Sequence, residues 1–245
     1  MNNFWTFFAF PLNLLLALLW ACGWVWLWKN RPDGRIIRFL LSPAATVSSI
    51  TMLVTGCLWI GFSGNRELVQ SVPFVLILLY LQTVIYLITL RGWRRSDGAI
   101  RWRFLLIHLG LLLALGAGFW GSPDSLELRA ALDKEEATQK AYKMDGSLNG
   151  LGYELRLVDY KTEVSADGKP SYYEATISVN DEDSVKIFVN HPYNVRFGED
   201  IYLASVSEKG CVFQIVREPW RYFALAGILM LLVGAFLLFI KGPGR

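Results

Sequence analysis

Residues 104–136 read FLLIHLGLLLALGAGFWGSPDSLELRAALDKEE, and the fold turns on this stretch. From Phe104 to Pro123 there is no Asp, Glu, Lys or Arg. From Asp124 onward acids come quickly, at Asp124, Glu127, Asp133, Glu135 and Glu136. An uncharged run of about 20 residues is long enough for a helix to cross a bilayer. The charged run after it belongs in water. The chain is therefore expected to leave a membrane near Gly121 and enter a polar domain.

The same alternation extends in both directions. Charges are also absent from Asn2 to Trp28, from Phe39 to Asn65, from Leu68 to Leu90 and from Tyr222 to Ile240. The 245 residues are 53% hydrophobic and only 18% charged, against roughly 25% charged in ordinary soluble domains. Mean hydropathy is +0.35. This composition argues against disorder and against an ordinary soluble enzyme. The segment Gly121–Trp220 holds 11 Lys and Arg against 18 Asp and Glu, a net of −7; the remainder holds 13 against 3, a net of +10. An acidic outer segment argues against nucleic-acid binding, which requires positive charge.

The basic residues set the orientation. Lys29, Arg31, Arg35 and Arg38 follow the first run. Arg91, Arg94, Arg95, Arg101 and Arg103 follow the third, and Lys241 and Arg245 end the chain. The loop after the second run has only Arg66 against Glu67. Basic loops stay cytoplasmic, so the N-terminus is expected outside and the C-terminus inside. The expected layout is four spans in residues 1–120 (about 4–28, 42–62, 72–90 and 104–120), an extracytoplasmic domain over 121–220, and a fifth span with a short tail over 221–245. The first run lacks a basic start and a small-residue cleavage site, so it reads as a retained helix and not a leader. It could begin at Pro11, where a first-turn proline is tolerated.

The outer segment reads as mainly β. A short helix is expected first, capped by Ser125 and running from Leu126 to about Lys143. Five strands should follow: Leu151–Thr162, Tyr172–Val179, Val185–Val189, Ile201–Ser205 and Val212–Val216. Turn signals at Asp167-Gly168, Asp181-Glu182-Asp183, Phe197-Gly198 and Lys209-Gly210 separate them. The fold class is thus an integral membrane α-helical bundle carrying an inserted β-rich domain, an antiparallel sandwich or an open barrel.

Few residues carry reactive chemistry. Cys22, Cys57 and Cys211 are far apart and form no CxxC, which excludes a thioredoxin-like dithiol. Each reads as a small buried hydrophobe. No Ser/His/Asp arrangement or phosphate-cradling loop is present. Asp181-Glu182-Asp183 reads as a hairpin turn rather than a calcium site, because further spaced oxygen ligands are missing.

The two histidines differ. His108 lies about four residues, roughly 6 Å, beyond the basic loop. Its helical face includes Phe104, Leu111, Leu112, Leu115 and Phe119. The opposite side carries Gly110, Ala114, Ala117, Gly118 and Gly121, a stripe that lets another helix approach closely. An imidazole on an apolar wall suits a haem iron. It could equally bond a neighbouring helix or interfacial water; intramembrane ionisable groups are usually functional. His191, in Val189-Asn190-His191-Pro192, reads as a turn with a possible outer-face role. This topology puts the two histidines most of a bilayer apart, roughly 20 Å or more, so they cannot share one iron. No CxxCH exists for covalent haem. In the first span, Trp26 and Trp28 fit an interfacial belt. Trp20 lies about 12 Å deeper than Trp28 and reads as a helix seam or a wall for a flat cofactor.

Several short motifs, taken in order, resemble the ResB-like (CcsB) family of cytochrome c biogenesis. They are Phe10-Pro11-Leu12, the run His108-Leu109-Gly110-Leu111-Leu112-Leu113 and Leu157-Val158-Asp159-Tyr160 followed by Asp167-Gly168-Lys169-Pro170. Val189-Asn190-His191-Pro192, Ile201-Tyr202 and Glu218-Pro219-Trp220 complete the set. The likeness is best from Arg103 to Gly242. It implies a System II haem-attachment complex in a bacterial cytoplasmic (inner) membrane. It implies His108 as an axial ligand of haem b held transiently, with Phe104, Leu111, Leu112 and Leu115 as the pocket wall. The implied partners are a CcsA-like integral membrane protein supplying the second ligand, an apocytochrome c with CxxCH, and membrane lipid. The chain would be a non-catalytic subunit of the cytochrome c synthetase. It is compact for that family, and Leu203 stands where glutamine is usual. The alternative is a non-haem structural or anchor subunit of a respiratory or envelope complex. A membrane-linked sensor is disfavoured, because the cytoplasmic loops are too short for an output domain.

Overall fold

The computed structural model describes residues 5–164, 170–207 and 209–241. They form two compact units, one holding Asp124–Pro219 and the other Phe8–Pro123 with Trp220 onward.

The second unit is helical: α1 (Leu12–Asn30), α2 (Arg35–Leu40), α3 (Pro43–Ser63), α4 (Val72–Gly92), α5 (Trp102–Gly121) and α6 (Arg221–Lys241). All but α2 are long and apolar enough to cross a membrane, the length and composition of spanning helices. α1 begins directly after Pro11. Proline also opens α3 and lies in the first turn of α4, where no intrahelical N–H is lost. Large apolar side chains such as Phe62 and Phe239 stand exposed on these helices, the surface that lipid would cover.

The helix contacts combine small residues with polar pairs. Tyr80 on α4 lies 2.9 Å from the Ser48 hydroxyl of α3. Gly56 lets the Phe74 ring of α4 lie against α3. α5 and α6 pack through glycine. A Cβ on Gly227 would sit 2.6 Å from both the Gly110 oxygen and the Ala114 nitrogen, and one on Gly234 would meet Ile107 at 2.7 Å. The expected small-residue stripe is therefore the α6 contact, through Gly110 and Ala114, with the buried Ala117 and Gly121 on the same helix. Gly118 stands apart, with open space around it.

The first unit is one antiparallel sheet of eight strands, in the order β5-β4-β3-β2-β1-β8-β7-β6. These are β1 (Leu126–Asp133), β2 (Ala137–Lys143), β3 (Leu148–Val164), β4 (Pro170–Val179), β5 (Val185–Phe188), β6 (Tyr193–Arg196), β7 (Glu199–Val206) and β8 (Gly210–Arg217). The expected helix over 126–143 is wrong: it is the β1–β2 hairpin. Its alanines suit a helix, but Leu126, Leu128, Ala130 and Leu132 alternate with exposed Glu127, Arg129, Ala131 and Asp133, the period of a half-buried strand. β1 then pairs with β8 from Leu126↔Arg217 to Asp133↔Gly210. Here the Gly210 backbone passes so close to Leu132 that no side chain would fit.

One face of the sheet encloses Phe213, Leu155, Leu157, Ile177, Ile187, Ile201 and Ile215, all essentially inaccessible. Each contributes about 1.5–3 kcal/mol by leaving water. β5 and β7 come into contact, so the sheet curls. The Asp181 segment is a tight turn with Asn180 and Asp181 at positive φ, and Asp145-Gly146 turns with Gly146 at φ 81°. The expected Asp167-Gly168 turn lies outside the described residues.

A buried carboxylate ties β7 to this core. Glu199 is 3% exposed. It accepts from Tyr153 at 2.9 Å and from Arg196 at 2.9 and 2.8 Å. Burial, then the adjacent Glu199 charge, pushes the Tyr153 phenol well above its usual range, so it stays a donor.

Three substitutions test this packing in detergent by circular dichroism. Gly227→Val should lower the helical unfolding midpoint, costing about 1–3 kcal/mol by overpacking, while Gly118→Val should leave it unchanged. Glu199→Ala should destabilise the sheet by about 2–3 kcal/mol, because Tyr153 and Arg196 lose a charged acceptor.

Candidate functional site

α5 positions His108 two turns in from the Trp93–Arg101 connection. Its Nδ1 lies 2.9 Å from the Phe104 carbonyl oxygen one turn earlier. A carbonyl only accepts, so Nδ1 donates in this contact and Nε2 is the ring nitrogen left over. The imidazole also stacks on the Phe104 ring, with centroids 3.9 Å apart and planes at 24°. The i, i+4 spacing read from the sequence thus brings these two together, and both contacts restrict the imidazole. His108 is half-buried. An imidazole whose Nδ1–H is held by a carbonyl is the arrangement that orients histidine ligands for iron or zinc.

The other sequence-derived wall residues are distributed along α5. Leu111 and Leu115 are half-buried. Leu112 instead lines a separate cavity of about 170 Å³ with Leu113, Trp20, Gln82, Trp120 and Trp220.

That cavity explains Trp20. Its indole N–H donates to Thr83 of α4 at 3.3 Å, and its ring lies 5.1 Å from Tyr86 and 6.0 Å from Trp120. Trp20 therefore sits in a seam of α1, α4 and α5. Trp120 donates to the Gln82 side-chain oxygen at 3.1 Å. Asn13, 2% exposed, donates to the Trp120 carbonyl at 2.8 Å. Sequence reasoning missed Asn13, Gln82 and Thr83; a single polar residue at 13 and an adjacent polar pair at 82–83, each inside an apolar run, were the available signal.

His191 lies in the other unit, exposed in the turn after β5. Its N–H donates to the Phe188 oxygen at 3.0 Å, and Asn190 has φ 61°. This matches the turn reading. The cysteines need correction: only Cys211 is buried, whereas Cys22 and Cys57 are exposed on their helices, where an apolar thiol can face lipid at little cost. Burial raises the Cys211 thiol to about 12.

Five helices long and apolar enough to cross a membrane, an inserted antiparallel β unit and a carbonyl-tethered histidine on one of those helices define the class. Residues 97–212, just under half of the chain, match the ResB-like family model. The match points to cytochrome c biogenesis, the field of the family that the motifs resemble. No curated protein matches the sequence. Among solved structures, the chain is similar to one described as Cytochrome c Heme Lyase CcmF, at 14% identity and a TM-score of 0.43. That similarity covers 96% of this chain and 46% of the other, so this chain spans less than half of that one's length.

A Cys22→Ser/Cys57→Ser variant tests the thiol assignment. Its remaining Cys211 should resist maleimide at pH 8 in the folded protein and react fully after unfolding in denaturant.

Proposed function

We propose that this protein is a membrane subunit of a cytochrome c haem-attachment complex. In this reading it helps carry haem outward and present apocytochrome c to a CcsA-like partner. The carrying observation is the tethered His108 within a ResB-like segment. The residues present fit a haem: an imidazole with its Nδ1 proton engaged, on a helix whose neighbours are Phe and Leu.

His108 would bind haem b iron through Nε2, with the second axial ligand from the partner. Haem, as cargo, supplies vinyl groups to which the two thiols of a CxxCH segment add. Each addition forms one C–S bond and moves the thiol proton to the neighbouring vinyl carbon, with no net redox change. This chain needs no catalytic side chain for that step. Its task is to hold and orient. Phe104 holds the imidazole through its carbonyl and its ring. The net −7 outer unit would face the apocytochrome or brace the partner's haem-holding region. We place the basic loops in the cytoplasm and the β unit outside a bacterial inner membrane, from the charge asymmetry of the sequence.

The test is a visible absorption spectrum of the chain purified with its partner. Wild type should show a haem Soret band. His108→Ala and His108→Gly should lose it, and imidazole should restore it in the glycine variant. Absence of haem from wild type, or an unchanged band in both variants, would favour the anchor-subunit reading.

A further inference from the structure

A second concave site lies at the opposite end of α4 from its first turn. It is an open groove of about 550 Å³ bordered by Arg91, Arg94 and Arg101. No Asp or Glu lines it, and none of the three arginines is in an ion pair among the described residues.

Arg94 and Arg101 are held in place. Arg94 pairs with Ile100 in a short bridge, and the Arg101 N–H donates to the Trp93 oxygen at 2.8 Å. The Arg94 guanidinium lies 4.0 Å over the Trp93 ring, and Arg101 lies 5.0 Å over Phe104. Arg101 also reaches the Gly92 oxygen at 3.4 Å. Three guanidiniums bordering one mouth, two of them held there, repel one another unless an anion joins them.

The backbone adds to this positive potential. α3 starts at the groove with Ser42 and Pro43, and α5 starts there with Arg101. Neither helix has an acid in its first turn, and α5 has no side-chain cap bond. Two helix N-termini thus bring partial positive charge to the three arginines; Ser42 caps the Ala45 N–H of α3 and Pro43 has none, so the uncapped N–H groups come from α5. The rest of the wall is apolar: Val47, Ile88, Pro43 and Phe104. Val47 is 64% exposed, so an apolar body seated here continues onto the lipid-facing side of α3.

We propose that this groove binds the headgroup of an anionic phospholipid. Its phosphate would accept from the guanidiniums and helix N–H groups, and its acyl chain would lie along Val47. A choline or ethanolamine headgroup would place a cation among three arginines, so the site selects net-negative lipids. The inference rests on the helices crossing a bilayer and is independent of haem binding at His108.

Native mass spectrometry of the full chain in defined lipid provides the test. Wild type should retain phosphatidylglycerol over phosphatidylcholine by about tenfold or more, as charge-assisted bonds to phosphate allow. Arg91→Gln/Arg94→Gln/Arg101→Gln should abolish the preference, and Arg94→Gln alone should reduce it, which guards against a folding defect in the triple variant. Arg35→Gln, in the other basic loop, should leave it intact. Equal retention of the two lipids would overturn the proposal. So would an equal loss in Arg35→Gln, which would indicate general surface charge. Retention of inorganic phosphate without lipid would reassign the groove to a soluble anion. An unchanged lipid preference with haem lost from the triple variant would reassign it to haem carboxylates.

Discussion

The contact between Gly110 and Gly227 is the constraint on which the helical unit depends. Without Cβ atoms, α5 and α6 approach until the backbone of one touches that of the other. In lipid, apolar side chains gain nothing by leaving the solvent, so close van der Waals contact must supply the association. That contact uses the glycine side of α5 and leaves the Phe104 and His108 side for other work. The β unit has a parallel constraint of its own. β1 and β8, the strands nearest its two connections, pair along their full lengths.

Polar side chains complete the helical unit in the manner a bilayer requires. Asn13 bonds Trp120 and Trp120 bonds Gln82, while Trp20 bonds Thr83 beside them, so these contacts tie α1, α4 and α5 together. His108 belongs to the same economy of polar groups, but only half of its bonding capacity is used within its own helix. An imidazole with one nitrogen engaged and one left over differs from the Asn13 amide, whose donor and acceptor both find backbone partners. This difference is the physical reason for reading His108 as a ligand rather than as structural glue.

Much of this was legible in the sequence, and the failures have specific causes. The spans were legible because uncharged runs of about 20 residues have few other uses. The Phe104–His108 pair followed from i, i+4 geometry. The β1–β2 hairpin was misread because Ala130, Ala131 and Ala141 favour helices intrinsically, and burial on a sheet overrode that preference. The seam around Trp20 was one of two open readings, since a helical face does not name its neighbour. The arginines after α4 were visible as an orientation signal, yet their convergence with two helix N-termini needed the fold.

The proposed topology puts a basic, lipid-embedded half and an acidic outer half in one chain, with His108 near the inner surface. Single cysteines at Ser96 and Ser147, in a background lacking Cys22, Cys57 and Cys211, test it most directly. In intact cells with a permeable outer layer, a membrane-impermeant maleimide should label Ser147→Cys at once and Ser96→Cys only after the membrane is opened. Labelling of Ser96→Cys in intact cells, with Ser147→Cys protected, would contradict the orientation and the inner-face placement of His108.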